Sequence, residues 1–455
     1  MPDLPSTRLH IDPPMDQWQV IPRNGRTTPT IATGHQPTLW HPGILAKDLA
    51  AIAVARHLDG SALHIVVDYD TLGPPILDLP AIDGSRLRAD RYALGAPSST
   101  MTRPANSLPA IDIDEAAHRL RQWSAMHVPE SVAAGLTLIA DAYQEAGHSR
   151  PNQAAQTTAV IDAMRRPLVG DLSIRNASTI VTQHFVDRLL DSPVACATAY
   201  NRAALTYPEA GIRPLYVGRD SVELPLWAQH TSDRTPVFAD LGDSKPELFT
   251  QGQDLDISRP DALQHLRPRA ITLSAIMRSE HCDLFIHGTG GGVYDRVTER
   301  WWQDWTGEGL APKAVVSADV YLPFDVPVAT RTEYEHAQWY AHHLPHNIDR
   351  YIQASNEAEA ALIEEKRRVL DQMNDDRDHR RRAKAFQRIH AINAELRQQH
   401  GAMHDAANQQ AEEARIGIGN AAVAMRRDWC FALYPDQVLQ DLADQIRSCF
   451  PASPR

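Results

Sequence analysis

Residues 30–70 hold the stretch that decides the fold: TIATGHQPTLWHPGILAKDLAAIAVARHL, Thr30 to Leu58, followed by ALHIVVDYD, Ala62 to Asp70. A short β-prone run, TIAT, leads into a loop with two histidines, two prolines and two glycines (Gly34 to Gly43). Ile44, Leu45, Leu49, Ile52, Ala53 and Leu58 then recur at near-helical spacing, and the β-branched run that follows ends in acid. The order strand, loop, helix, strand predicts a crossover unit of a parallel sheet, so the chain reads as α/β. Ligands gather at the carboxyl ends of such strands, which is where His35, Gln36, His41, Asp68 and Asp70 fall.

In this loop His35 and Gln36 are placed to face a ligand. Pro42 and Gly43 open a helix whose free amides are expected to receive an anion, with Lys47 one turn in adding charge. His35 and His41 do not have the spacing of a zinc motif, and no metal site is expected. Asp68 and Asp70 lie two apart on a strand and so share a face, where paired carboxylates can orient an amine or hydroxyl, accept a proton, or hold Mg²⁺ through water.

The pattern recurs some 250 residues later. In FIHGTGGGVYDRVT a strand ends at His287, four glycines (Gly288, Gly290, Gly291 and Gly292) surround Thr289, and a helix follows through Tyr294 and Asp295. Successive amides at such a helix start make an anion nest. The stretch is neither a Walker A loop, which needs Gly-Lys-Ser/Thr, nor GxGxxG. WWQDW (Trp301 to Trp305) reads as helix packing, RDHRRR (Arg377 to Arg382) as a solvated helix face, and Lys245 in GDSKPEL as a loop lysine faintly like the mobile lysine of nucleotidyl-transferring synthetases.

Between and beyond these corners the chain divides into further expected regions. Residues 1–110 form the first part of the core, with loops and a short β element over the Pro-, Ser- and Gly-rich 71–110. Helical periodicity marks residues 111–212 as an insertion or layer. Residues 213–345 complete the core, with strands at PLYV, VELPLW, TPVFAD and KAVVSADVYLPF, and a helix at LRPRAITLSAIMRSEHC. Residues 347–400 contain neither glycine nor proline. Apolar residues there recur at threes, fours and sevens, predicting one long helix or two joined at NDDRDHRRR, and Gly401 permits an antiparallel return. A coiled-coil hairpin over 346–427 follows, and residues 428–455 supply a packing strand and a terminal helix.

At 455 residues a sizeable core is available. The composition is that of an ordinary globular chain, with 43% hydrophobic and 22% charged residues, and the net charge of −12 argues against grip on nucleic acid by phosphate neutralisation. The four dispersed cysteines, without a CxxC pair, suit a reducing compartment. No basic, apolar leader and no run of about 18 apolar residues appears. The expectation is a cytoplasmic protein with small-molecule partners, no membrane and no nucleic acid, and homodimerisation through the coiled coil.

TGHQPTLWHPGILAKDLAAIAVA with HIVVDYDT resembles the amino-terminal signature of the bacillithiol biosynthesis cysteine-adding enzymes, in which a TGQQ-type loop leads into a lysine-bearing helix and a strand ending in acid. LRPRAITLSAIMRSEHCDLFIHGTGGGVYDRVT is similar to that family's second signature, a GPGE-like glycine loop between strand and helix. The resemblance covers some 75 residues closely and implies a Rossmann-like core, related to nucleotidyltransferases and class I synthetases, with a coiled-coil domain. The reaction it implies joins the carboxyl of cysteine to the amino group of glucosaminyl-malate. His35 and Gln36 then stand at the paired-glutamine positions, Lys47 at the helix lysine, Asp68 and Asp70 at the acidic strand end, and Gly288 to Tyr294 at the glycine loop. Histidine replaces a glutamine at position 35, DYDT replaces an acid-histidine ending, and glycine replaces the second loop's glutamate.

Three functional readings follow. The first is a ligase-like enzyme forming an amide between an amino acid and an amine-bearing metabolite, with ATP and Mg²⁺ as candidate activators; here His35, Gln36, Asp68 and Asp70 are catalytic, and Gly34, His41, Gly43, Lys47 and His287 to Asp295 hold substrate or phosphate. The second is a nucleotidyltransferase on the same core. The third is a non-catalytic ligand-binding or assembly protein.

Overall fold

The computed structural model describes residues 7–95, 103–126, 128–230, 233–242, 246–251, 253–254 and 262–450. Lys245 lies outside the described residues. In chain order the elements begin with β1 (Arg8–Asp12), β2 (Thr30–His35), α1 (Pro42–His57) and β3 (Ser61–Val66), then β4 (Ile76–Asp83) and β5 (Arg86–Ala93). Helices α2 (Ile113–Ser124), α3 (Glu130–Ala146) and α4 (Gln153–Val169) precede β6 (Ser173–Asn176), α5 (Gln183–Asp191) and α6 (Pro193–Thr206). Strands β7 (Ser221–Gln229), β8 (Arg234–Asp240), β9 (Glu247–Thr250), β10 (Gln253–Asp254) and β11 (Leu266–Pro268) lead to α7 (Ala270–Ile276) and β12 (Leu284–His287). The chain continues through α8 (Thr289–Thr306), β13 (Lys313–Asp319), α9 (Arg331–Asn347), α10 (Glu357–Asp375), α11 (His379–Gln399), α12 (Gly401–Ala424) and α13 (Asp436–Ser448).

The protein is mixed α/β, and its described residues fall into two compact units, one built on residues 82–88 and 323–426, the other on residues within 7–81, 89–322 and 427–450. The larger unit centres on a six-stranded sheet of order β1-β13-β12-β2-β3-β6, in which only β1 runs antiparallel to its neighbour. From β2 the chain steps through α1 to β3 on one side; from β12 it steps through α8 to β13 on the other. The strand order therefore reverses between β2 and β12, which is where open α/β sheets leave a crevice beyond their carboxyl ends.

The two crossover helices take different layers. Ala32, Ile65 and Phe285 share one apolar cluster with Val297, Trp301 and Trp302 of α8 and with residues of α5, α6 and α7. Side chains alternate along a strand, so the intervening residues face the other layer, where α1 packs with α4 and α13. From Pro42 to Ala55 every residue of α1 is buried. A helix apolar all round is an interior helix. Lys47 and Asp48 are its buried exceptions, and both are partnered: Lys47 Nζ donates to Gly34 O at 2.6 Å, while Asp48 takes His64 Nδ1 at 2.7 Å and Arg165 Nη1 at 2.9 Å.

A second, antiparallel sheet has the order β10-β9-β8-β7-β11. Four local expectations change here. PLYV forms only an isolated bridge, Val217 to Val222, because the backbone of Tyr216 turns to meet the Glu223 carboxylate at 2.9 Å. Leu266–Pro268 is a strand on β7 and does not open the helix. Residues 76–93, expected as loop with a short β element, make two eight-residue strands joined by Gly84 at φ +59°. The packing strand expected near Phe431 is a short 3-10 turn, its Phe431 N–H donating to Trp40 O at 2.7 Å.

In the smaller unit the helical run breaks at Asp376–Asp378, where the Asp378 side chain caps the next helix. Here α9 pairs with α12 and α10 with α11. Leu344, Ile348, Ile392, Leu396 and Ala407 form its small core, whereas Phe386 is 57% exposed. Among the described residues no helix is long and apolar enough to cross a membrane.

Candidate functional site

The two glycine corners converge. A cavity of about 370 Å³ opens at the carboxyl ends of β2, β12 and β13, in the crevice that the strand order marks. Of the residues expected there from sequence, Gly34, His35, Gln36, His41, Gly43 and Lys47 line it from the first corner. His287, Gly288, Thr289, Gly290, Gly291 and Tyr294 line it from the second.

At the first corner, close approach requires glycine. A Cβ on Gly34 would lie 2.6 Å from Ile65 O, and one on Gly43 would lie 2.8 Å from Ala318 O. The amides expected to receive an anion are already taken. Gly43 N–H donates to the His41 ring at 3.1 Å, the amides of Ile44 and Leu45 go back to His41 O, and Pro42 has none. His41 caps its own helix, so α1 offers a histidine edge instead of an anion nest.

This fixes the tautomers. His41 Nδ1 accepts from Gly43, and His35 Nδ1 accepts from Gln36 N–H at 2.6 Å, so each neutral ring carries its proton on Nε2. Burial first, then Arg427, pulls His41 down to about 4. Burial, followed by Lys47, His64 and His41, pushes His35 well below the ordinary imidazole range. Burial also lowers Lys47 to about 8, with neighbouring Asp48 opposing it, so the amine is mostly charged at neutral pH.

The second corner is built in the opposite way. Gly288 precedes α8 and no side chain caps the helix, so the amides of Thr289, Gly290 and Gly291 remain available to a ligand. Tyr294, raised to about 12 by burial and then by Asp295, keeps its proton. Asp295 lies behind the corner and not in it. Ser274 Oγ and Arg278 Nη1 donate to its carboxylate, Lys313 Nζ stands 3.6 Å away and His287 Nε2 3.3 Å away, the last off the line of a hydrogen bond. Burial opposes its ionisation, yet His287, Arg278 and Lys313 hold it far below the usual carboxylate range.

Gly292, Asp68 and Asp70 also stand outside the lining. A Cβ on Gly292 would strike Val315. Asp68 is buried, accepting from Ser178 N–H at 2.9 Å and Ser178 Oγ–H at 2.6 Å, so it anchors the turn after β6. Asp70 accepts from Gln36 Nε2 at 3.1 Å, with Arg234 at 3.8 Å, and so reaches the cavity only through Gln36.

Sequence reasoning missed Ser274, Ser317 and the apolar wall of Leu273 and Phe285. Ser317 lies on a strand readable as core, and Ser274 on a short helix remote from both corners; nothing local distinguishes either serine. Among the described lining residues there are one lysine, three histidines and no aspartate or glutamate. No group of three or more His, Cys, Asp or Glu among the described residues is arranged to hold a metal ion. Compared with protein-family models and with curated proteins, the chain matches none.

Proposed function

We propose that the protein is a ligase-like enzyme of the cytoplasm that joins the carboxyl group of an amino acid to the amino group of a small metabolite such as an amino sugar. The observation that carries this reading is the lining of the cavity: cationic and neutral donors from both glycine corners, without a carboxylate, at a sheet crevice. Such a lining suits an anion, whether a carboxylate or a phosphate that activates it. In this reading the amides of Thr289 to Gly291 and the Lys47 amine hold the anionic group, and the Nε2–H of His35 donates to the oxygen that gains charge when the amine attacks. Neutral His287 takes the amine's proton on Nδ1, a role that Asp68 is too enclosed to fill, and Asp295 beside the ring's Nε2 stabilises the imidazolium so formed. Asp70 orients Gln36.

ATP would supply the leaving group on the carboxylate. Its phosphates would be held by the open amides of α8, and no carboxylate of the described lining stands ready for an accompanying Mg²⁺. The core is read as Rossmann-like, and the helices of residues 346–427 as the coiled-coil hairpin of the cysteine-adding enzymes, serving dimerisation. Histidine at position 35 and glycine in place of the loop glutamate favour an amine or thiol partner different from that family's.

The test incubates the full chain with ATP, Mg²⁺ and panels of amino acids and amino sugars, following amide product by mass spectrometry together with phosphate and pyrophosphate release. Amide formed in step with nucleotide turnover is expected, falling about 100-fold or more in Lys47→Met. The uncapped amides of α8 also favour a second reading, nucleotidyl transfer, which would appear as pyrophosphate release without amide. Absence of both nucleotide binding and turnover removes the two together.

A further inference from the structure

The His35 ring makes one hydrogen bond, to a neighbouring amide, and an imidazole that is to donate from Nε2 needs its plane fixed as well. The fixing element is an aromatic stack inside the first corner. Trp40, 3% exposed, stacks with His35 at 6.1 Å between centroids and 28° between planes, and with His64 at 4.8 Å and 29°. Its indole N–H donates to Gln36 O at 3.1 Å, and the N–H of that same Gln36 donates to His35 Nδ1 at 2.6 Å. One indole therefore touches the imidazole both across its face and through the residue that sets its tautomer.

The far side of the stack is anchored. His64 is 1% exposed, with Nδ1 2.7 Å from Asp48 Oδ1, and Asp48 Oδ2 accepts from Arg165 Nη1 at 2.9 Å. Arg165 is held in turn by Asp162 at 2.6 Å. This chain runs from α4 through α1 and β3 to the indole and ends at the cavity. Nothing in it serves the anion directly; each member holds the next. A core tryptophan needs some partner for its indole N–H, but not the residue that sets a histidine's tautomer, nor two stacked imidazoles.

We propose that Trp40, stacked with both His64 and His35, is the positioning residue that fixes the ring plane and the Nε2–H tautomer of His35. The proposal rests on the reading above only for the use made of that proton; the positioning itself is a property of the free protein.

The experiment records long-range ¹H–¹⁵N correlations of the histidine rings in the full chain across pH, with inorganic pyrophosphate as the binding probe. Trp40→Phe keeps a smaller aromatic face and loses the indole N–H; Trp40→Leu removes both face and donor. In Trp40→Leu the single Nε2–H tautomer of His35 is expected to give way to a mixture and its titration to rise toward the ordinary imidazole range, with pyrophosphate binding about tenfold weaker. Trp40→Phe should lie between this variant and the parent. His64→Gln retains a donor for Asp48 but removes the second ring stacked on Trp40, and it should shift His35 the same way by less; it decides the matter should Trp40→Leu not fold. An unchanged His35 tautomer and titration in the folded variants overturns the proposal. If the parent binds no pyrophosphate while the His35 signals still respond to these changes, the positioning stands and the functional reading fails.

Discussion

The first and second corners follow one plan, a parallel strand ending in histidine, glycines, then a helix, and they divide the work of binding. At the first, the side chain of His41 and its own carbonyl consume the opening amides of α1, and the glycines are filled spaces. At the second, the opening amides of α8 are bare, a Cβ on Gly290 would meet nothing within 4 Å, and the helix is tied down from behind by Asp295, Ser274 and Arg278. The difference teaches that a glycine-rich helix start is not in itself an anion site. What matters is whether the chain has already satisfied the amides.

Three substitutions break or sharpen this contrast. The largest effect is expected for Gly34→Ala, whose new methyl would stand 2.6 Å from the Ile65 carbonyl in the parallel β2–β3 pair, where neither strand can move alone. A stability loss of about 3 kcal/mol by denaturant unfolding is anticipated. A loss under about 0.5 kcal/mol would show that the first corner is no tighter than the second.

Next comes the pH dependence of the cap. His41 titrates near 4 in the folded chain against 6.5 when free, so in that window the unfolded chain binds more protons and stability rises with pH. Stability is therefore lost as pH falls through about 6.5 toward 4. His41→Asn keeps a capping oxygen without a titrating ring. Its unfolding midpoint should fall less steeply over that range, and identical slopes for parent and variant would mean that the cap histidine is not what senses acid.

The smallest effect belongs to Gly290→Ala. With open space around the position and a helical backbone, alanine should leave stability unchanged or raise it by about 0.5 kcal/mol. Pyrophosphate affinity, measured by calorimetry, should fall severalfold, because the methyl stands at the bare amides. Equal affinity would move the anion away from α8.

Much of this was legible in the residues themselves. The β2–α1–β3 unit announces itself through TIAT, the helical spacing after Gly43 and the VVDYD run, and FIHGTGGGVYD announces the second corner. Periodicity and glycine placement are local signals, and they put twelve of the expected residues on one cavity. Partner choice was not legible. Asp68 reads as a catalytic carboxylate and Asp295 as a substrate-holding one until Ser178 and Arg278 arrive from elsewhere in the chain to enclose them. His41 reads as a ligand-facing ring until its Nδ1 is found on the next amide but one. The burial of α1 from Pro42 to Ala55 was hidden for the same reason, since α4 and α13 cover it from distant sequence.

The pairing of β2 with β12 joins residues 253 apart, as in the bond from Thr33 Oγ1 to Ile286 O. Contacts of such long range form late, after the entropy of closing the intervening loop has been overcome. A nascent chain leaving the ribosome thus holds only half of the cleft until β13 has emerged, and an amino-terminal fragment ending before Leu284 should have no affinity for the anion at all.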